Sequence, residues 1–361
     1  MTNKLKIGIL FGGKSVEHEV SIHSAKNVFL ALDKKKYQPV LIYIDKNNHW
    51  FLADKKSLIN FTYHSKFKNT GAEVVLIPGG EGKIVNLAKP KQKIKVDVIF
   101  PVLHGTFGED GTAQGFLKLA NVPFVGAGVL GSAIGMDKEI AKRLLREAKI
   151  PVSNSLVFTD IKKIKFNNVI KKLGLPLFIK PATLGSSVGI SKVKNQKEFL
   201  PAVKKAFQYD NKILIEEFIR GREIECAVLG NKDPKASAIG EIISNHEFYS
   251  YEAKYLDENG ARLIAPAELS KNVADKIKKM AVETFKILSC EGMARVDFFL
   301  KKNGGVVVNE INTIPGFTQI SMYPKLWQLK GIKYPDLIEK LIKLALERFN
   351  QEKKLETNFK I

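Results

Sequence analysis

The sequence predicts an α/β protein of two or three domains, and three observations carry that reading. Its 361 residues are too many for one ordinary core. Over the first third, β-rich apolar runs alternate with helix-period stretches, the pattern of a parallel sheet with covering helices. Later, a strand–loop–strand stretch at 176–193 resembles a hairpin, and two strands flanking the short 301–304 turn would pair antiparallel.

Each element has its own signal. Residues 4–11 (KLKIGILF) form a first strand ending at Gly12-Gly13. A helix follows, with Val20, Ala25, Val28, Phe29 and Leu32 on one stripe. Residues 38–45, 73–77 and 96–102 read as further strands of the same parallel sheet. Gly126, Gly128, Gly131 and Gly135 lead into one long helix over 137–149, which Pro151 closes. Residues 176–182 and 190–193 are strands around a glycine-serine loop, 183–189, and so resemble a lid hairpin. A P-loop would need a helix after its glycines. Strands at 212–219, 223–229 and 235–242 start a third part, and the polar stretch 244–262 is long enough to be a functional loop. Strands at 292–300 and 305–311 end in an Asn-Thr-Ile-Pro-Gly turn; two helices and a polar tail, 351–361, close the chain. No internal repeat is visible.

Composition narrows the class. Hydrophobic residues at 45% and charged residues at 26% are those of a soluble globular protein. No apolar run approaches the roughly 18 residues that span a bilayer. Residues 1–11 lack a signal-peptide pattern and read as strand. Cys226 and Cys290 are the only cysteines, both in strand-like stretches. This argues against a disulfide framework or a zinc site and for a reducing compartment, the cytoplasm. The net charge of +21 invites a nucleic-acid partner, yet only seven of the 58 basic residues are arginine. The lysines are scattered and no aromatic-interleaved basic block occurs, so a solvated lysine surface is the better reading. That surface would still attract anionic nucleotides.

The strongest chemical constellation is Asp297 on one strand with Glu310 and Asn312 on the next. Period-two geometry puts Glu310 and Asn312 on one face, and pairing through the short 301–304 turn brings Asp297 opposite them. Two carboxylates and an amide oxygen suit Mg²⁺ bridging nucleotide phosphates. Arg295 shares that face, where a cation suits a charged transition state. The plain alternative is a salt-bridge group on a hairpin, disfavoured because Phe298, Phe299 and Val306 to Val308 mark a buried sheet. The 183–189 loop offers backbone N–H groups to phosphate oxygens, with Lys180 just before it, although an ordinary hairpin turn would look the same. Glu17 opens the first helix, either as a dipole partner or as a holder of a substrate ammonium. His104 ends a strand where ligand sites of open sheets lie, though a structural hydrogen-bonding role is the commoner one there. Residues 126–131 match GxGxxG, but the ribose-binding acid expected at the next strand end is missing, so a dinucleotide site is rejected.

Together these motifs resemble the D-alanine–D-alanine ligases of the ATP-grasp superfamily. The similar stretches are GGKSVEHEVSIHSA (12–25), HGTFGEDGTAQG (104–115), GMDKEIAKRLL (135–145) and KPATLGSSVGISKV (180–193). They continue with EEFIRGREIECAVLG (216–230), YEAKY (251–255), ARVDFF (294–299) and NEINTIPGFTQISMYP (309–324). All eight run in order through nearly the whole chain; Thr183 departs from the expected Asn.

The resemblance implies a three-domain ATP-grasp architecture. It would comprise an N-terminal parallel-sheet α/β domain (1–126), a small central lid domain (127–215), a C-terminal mixed-sheet domain (216–350) and a tail (351–361). It implies ATP-dependent joining of two D-alanines through an acyl phosphate for cell-wall peptidoglycan, with two Mg²⁺ (or Mn²⁺), in a cytoplasmic homodimer with no nucleic-acid or membrane partner. Carried over residue by residue, Lys138, Lys180 and Ser187 would contact the nucleotide phosphates. Glu216 would meet the adenine amino group, the backbone of Glu217, Phe218 and Ile219 the adenine edge, and Glu223 the ribose. Asp297, Glu310 and Asn312 would hold the metal. Glu17 would take the ammonium of the first D-alanine, with His104 near it; Ser321 and the Met322 backbone would fix the carboxylate of the second. Lys254 would reach the γ-phosphate, Arg295 and the Gly316 N–H would meet the oxyanion, and Tyr255, Ser186 and Glu17 would form a latch under a lid over 244–262. The tyrosine of EAKY favours D-alanine over D-lactate or D-serine as acceptor. An NAD-dependent oxidoreductase, resting on the GxGxxG match alone, is the reading outside the class.

Overall fold

A computed structural model describes residues 4–62, 65–244 and 260–356. The N-terminal part is built on β1 (Leu5–Gly12), whose Ile7, Ile9, Leu10 and Phe11 are fully buried, as a central parallel strand covered on both faces requires. At Gly12 the backbone turns with φ +92°, and a Cβ there would lie 2.2 Å from the Ile44 carbonyl oxygen, so only glycine fits. Next come α1 (His18–Ala31), which buries the expected stripe of Val20, Ala25, Val28 and Phe29, and β2 (Tyr37–Ile44), parallel to β1. β3 (Trp50–Leu52) pairs antiparallel with β2, and α2 (Lys55–Asn60) follows, capped by the Asp54 carboxylate.

The chain then makes a separate antiparallel sheet of β4 (Val74–Leu76), β5 (Lys83–Asn86) and β6 (Lys89–Lys95). It returns with β7 (Val98–Pro101), parallel to β1, giving the order β3-β2-β1-β7. The expected strand 73–77 therefore belongs to a different sheet from the one assumed. The β5–β6 hairpin carries no sequence signal, because β6 (KPKQKIK) is an exposed lysine-rich edge.

After α3 (Thr112–Leu119), the helix expected over 137–149 is present as α5 (Lys138–Glu147), and an unexpected helix, α4 (Val129–Met136), precedes it within the glycine-bearing lead-in. Asp137 breaks them: it is extended, and its carboxylate accepts from the N–H groups of Glu139 and Ile140. The GxGxxG glycines serve packing. A Cβ on Gly131 would lie 2.4 Å from the Ser289 carbonyl oxygen, so α4 sits directly on that turn.

The central sheet comprises β8 (Ser155–Phe158), β9 (Leu177–Pro181), β10 (Ser191–Val193) and β11 (Ile213–Glu217), antiparallel in the order β10-β9-β11-β8. Helices α6 (Phe166–Leu173) and α7 (Gln196–Phe207) share its apolar core, in which Val169, Phe199 and Val203 meet Leu177, Ile179 and Ile215. The 183–189 loop joins β9 to β10 as expected. Its first residue is tied down: the Thr183 N–H and hydroxyl both donate to Asp210 Oδ2 at 2.8 Å.

The C-terminal sheet contains β12 (Gly221–Gly230), β13 (Lys235–Ser244), β14 (Ala261–Ile264), β15 (Gly292–Lys301) and β16 (Val306–Asn312), antiparallel in the order β14-β13-β12-β15-β16. Ile224, Cys226 and Val228 face one core with α8 (Lys271–Ile287) and α5. Ala227 and Leu229 face another, shared with α9 (Met322–Gln328), α10 (Tyr334–Glu352) and the first sheet. The expected division at 215/216 falls inside β11, and α5 packs with the C-terminal sheet. Ser244 and Ala261, expected in the polar loop, are paired strand residues, while 245–259 lie outside the described residues. Cys226 is in β12, whereas Cys290 precedes β15 and is in no strand; both are buried free thiols. Among the described residues no helix is long and apolar enough to cross a membrane.

Candidate active site

A cavity of about 240 Å³ opens where the three larger sheets meet. It is lined by every residue singled out above that the structure describes, except Phe218, and Lys254 and Tyr255 lie outside the described residues.

Its floor is the β15–β16 pair. Register sets Arg295 opposite Asn312 and Asp297 opposite Glu310, with an irregularity immediately after Asp297. The expected cross-strand cluster is therefore present. The Arg295 guanidinium chelates Asp297, Nε and Nη2 donating to Oδ1 and Oδ2 at 2.7 Å, and Asn312 Nδ2 reaches Oδ2 at 2.9 Å. Glu225, opposite Asp297 on the other neighbouring strand β12, stands 3.2 Å from Arg295 Nε. Burial works against the Arg295 charge, but Asp297 and Glu225 hold its pKa well above the ordinary value. Asp297, Glu310 and the Asn312 amide oxygen are hard donors gathered at one point of a sheet, a set that fits Mg²⁺.

A second wall of the cavity carries two lysines. Lys138 Nζ, at the start of α5, donates to the Leu184 carbonyl at 2.6 Å and stands 3.9 Å from Glu310. Lys180 Nζ is 2.6 Å from Glu216 Oε2. Burial alone would raise the Glu216 carboxyl, yet the ammoniums of Lys142 and Lys180 pull it down to about 2. Beyond it, the N–H groups of Glu217 and Phe218 are committed to the Asn154 and Pro176 carbonyls, leaving Ile219 as the backbone donor of this stretch that lines the cavity.

On the opposite side, Ser186 and Ser187 take left-handed backbone with φ +50° and +61°, and the Ser186 hydroxyl donates to Glu17 Oε1. The loop thus touches the first domain, as the latch required. His104 is fully engaged: its Nδ1 donates to the Ile314 carbonyl and its Nε2 accepts from the Ser24 hydroxyl, both at 3.0 Å. Burial lowers its pKa, so the ring is neutral. His104 shapes the subsite but offers no spare nitrogen to a substrate. Ser321, before α9, accepts from the Thr318 N–H at 2.9 Å, and a Cβ on Gly316 would lie 2.7 Å from its hydroxyl, so the turn closes tightly. Met322 is buried at the start of α9.

Four residues of this region were not assigned from sequence. Glu109 accepts from the Gly105 and Ile314 N–H groups at 2.8 and 3.0 Å; burial, with Glu17 nearby, pushes it up to about 8. Lys142 and Ser153 stand behind Glu216, and Glu225 beside Arg295. Two had a readable signal: Lys142 is one helical turn after Lys138, and Glu225 is two strand residues after Glu223.

Comparison with known proteins agrees with this geometry. Residues 6–127 match the family model described as D-ala D-ala ligase N-terminus, and residues 144–343 the one described as D-ala D-ala ligase C-terminus. The chain is 52% identical to the D-alanine--D-alanine ligase of Oceanobacillus iheyensis, over 98% of this chain and 99% of that one. It is 49% identical to D-alanine--D-alanine ligase A of Escherichia coli K12, with the same coverage of each chain. Among solved structures, the D-alanine-D-alanine ligase from Coxiella burnetii superposes with a TM-score of 0.87 at 41% identity, covering 97% and 96% of the two chains. The VanG D-Ala:D-Ser ligase from Enterococcus faecalis does so with 0.85 at 36%, covering 95% and 100%. With both halves matched by family models and the whole length matched by relatives, the chain belongs to the D-alanine–D-alanine ligase family.

Proposed function

We propose that this protein uses ATP to join two D-alanines into D-alanyl-D-alanine, a peptidoglycan precursor, in the cytoplasm and as a homodimer. The observation that carries the reading is the cross-strand cluster of Arg295, Asp297, Glu310 and Asn312, which shares one cavity with the Glu216–Lys180 pair and the Glu17–Ser186 contact.

In this reading the adenine lies against Glu216 and Ile219, the ribose meets Glu223, and Lys138, Lys180 and Ser187 hold the phosphates. Asp297, Glu310 and Asn312 would hold two Mg²⁺ (or Mn²⁺), which would neutralise phosphate charge. Glu17 takes the ammonium of the first D-alanine inside a rim set by His104. The carboxylate oxygen of that D-alanine attacks the γ-phosphorus, ADP leaves, and Lys180, Lys254 and Arg295 offset the charge on the transferring group. The acyl phosphate is then attacked by the amine of the second D-alanine, whose carboxylate rests on Ser321 and the Met322 N–H. Arg295 and the Gly316 N–H stabilise the tetrahedral oxyanion until inorganic phosphate departs. Water would hydrolyse the acyl phosphate, so the 183–189 loop, which reaches Glu17, is read as a cover over the site; residues 245–259 of the expected lid, with Tyr255, lie outside the described residues. The three-part division of the chain is read in the same way, with β11 kept whole in the central unit.

The test is ADP and phosphate release with ATP, Mg²⁺ and a panel of amino and hydroxy acids, with product analysis. D-alanine should give the dipeptide, and D-serine or D-lactate as acceptor should be poorer. Equal turnover with L-alanine, or none with any D-amino acid, would sink the assignment.

A further inference from the structure

We propose that Lys142, which does not touch the nucleotide, determines the choice of adenine over guanine by holding Glu216 ionised and aimed. The proposal rests on Glu216 facing the purine 6-substituent.

Helix α5 sends two lysines from one face toward the nucleotide wall. Lys138 reaches the phosphate loop and lines the cavity; Lys142, one turn later, is 2% exposed and does not line it. Lys142 Nζ stands 3.2 Å from Glu216 Oε1 and donates to Ser153 Oγ at 2.9 Å. Ser153 is itself fixed at the end of α5, where Arg146 Nη2 donates to its carbonyl at 3.2 Å. Oε1 of Glu216 is therefore faced from behind, in an ion-pair contact, by a cation outside the cavity lining, while Lys180 stands 2.6 Å from Oε2 on the cavity side. Lys180 immediately precedes the phosphate loop and has a second claim on its charge once phosphates arrive; Lys142 has none. Burial pushes Lys142 down to about 8 against the pull of Glu216, the mark of an ammonium held where water cannot solvate it.

The chemistry of selection follows from ionisation. Adenine offers an amino donor at position 6, and guanine a carbonyl acceptor. An ionised carboxylate only accepts, so it pairs with adenine and repels guanine; a protonated or amide group can also donate, and would admit both. Whatever keeps Glu216 ionised keeps the selection. Lys142 is thus a positioning residue, acting through Glu216.

The experiment compares kcat/KM for ATP and GTP, at saturating D-alanine and Mg²⁺, in Lys142→Met, Lys142→Arg, Glu216→Gln and the Lys142→Met/Glu216→Gln double variant. Lys142→Met should raise KM for ATP and narrow the ATP-over-GTP ratio, each about tenfold, with kcat and the D-alanine KM within about threefold of wild type. Lys142→Arg should keep the ratio. The double variant should match Glu216→Gln alone, because Lys142 has no route to the base except through Glu216. Should Lys142→Met not fold, Lys142→Gln, neutral yet able to keep a hydrogen bond to Ser153, carries the same prediction of a narrowed ratio, and an unchanged ratio in it overturns the role of Lys142. A narrowed ratio in Glu216→Gln with an unchanged one in Lys142→Met overturns the role of Lys142 and spares that of Glu216. So does a loss in Lys142→Arg as large as that in Lys142→Met. An unchanged ratio in Glu216→Gln overturns the placement of Glu216 itself, and the proposal with it.

Discussion

Ser186→Ala tests whether the glycine-serine loop acts on the amino-acid substrate or only on the nucleotide. The change deletes one hydroxyl from a residue at φ +50°, a conformation that alanine meets at similar strain, so the loop keeps its path. What disappears is the hydrogen bond to the Glu17 carboxylate, the described link between the β9–β10 loop and the start of α1. A hydrogen bond to a charged partner contributes about 1.5–3 kcal/mol, and each 1.4 kcal/mol is a factor of ten. If the bond forms only when the loop is closed over substrate, kcat/KM for D-alanine should fall about 10- to 150-fold. KM for ATP should change less than about twofold, because Lys138, Lys180 and Glu216 are bound to other groups. The assay is coupled ADP release, titrating D-alanine at saturating ATP and then ATP at saturating D-alanine. A variant with a raised KM for ATP and an unaltered kcat/KM for D-alanine would refute the reasoning and leave the loop a nucleotide clamp.

Asp297→Asn and Glu310→Gln each remove a hard anionic donor at constant volume, and should lower turnover about a hundredfold or more while raising the Mg²⁺ concentration needed. Arg295 keeps Glu225 as partner, so both should unfold thermally near the wild type; full specific activity in the folded fraction would return the pair to a structural role. Gly131→Ala should lower the denaturation midpoint, since its Cβ would stand 2.4 Å from a backbone oxygen that has no rotamer to give way, a misfit of about 1–3 kcal/mol. Gly115→Ala, in α3 with nothing within 4 Å of its Cβ, should instead raise that midpoint, by up to about 1 kcal/mol of helix propensity. Equal shifts in both would show that packing on the 289–292 turn is not what requires glycine.

What was legible in the sequence was local. The buried run of β1, the alternation of β15 and β16 and the glycine-serine turn after β9 each declare themselves within ten residues, so the grouping of Asp297, Glu310 and Asn312 and the position of the 183–189 loop could be read from the sequence. The misses share a cause. β6 is an edge strand of lysines, and nothing in KPKQKIK distinguishes it from a solvated loop until β5 pairs with it. Helix α4 was missed because Gly131 and Gly135 read as loop residues, and what requires them, the close approach of Ser289 and Thr313, is tertiary. For His104 the commoner structural role was legible, but its partners, Ser24 and Ile314, were not, because they lie 80 and 210 residues away. Glu109, Lys142 and Glu225 were visible as residues, but their roles are defined by partners brought together by tertiary pairing. Lys254 and Tyr255 lie outside the described residues.

β16 presents Glu310 and Asn312 and runs without interruption into the turn of Gly316 and Ser321, closed on itself by the Thr318–Ser321 bonds. In the proposed reading, the residues that would hold metal and those that would hold the acceptor therefore lie on one continuous stretch of chain, strand then turn. A displacement of that stretch that improved the fit of a bulkier acceptor would drag the phosphate-facing donors with it, and the reaction would suffer for the sake of the substrate. Changes of acceptor preference in this scaffold should accordingly arise by exchanging side chains that face the turn, while the length and register of β16 stay as they are.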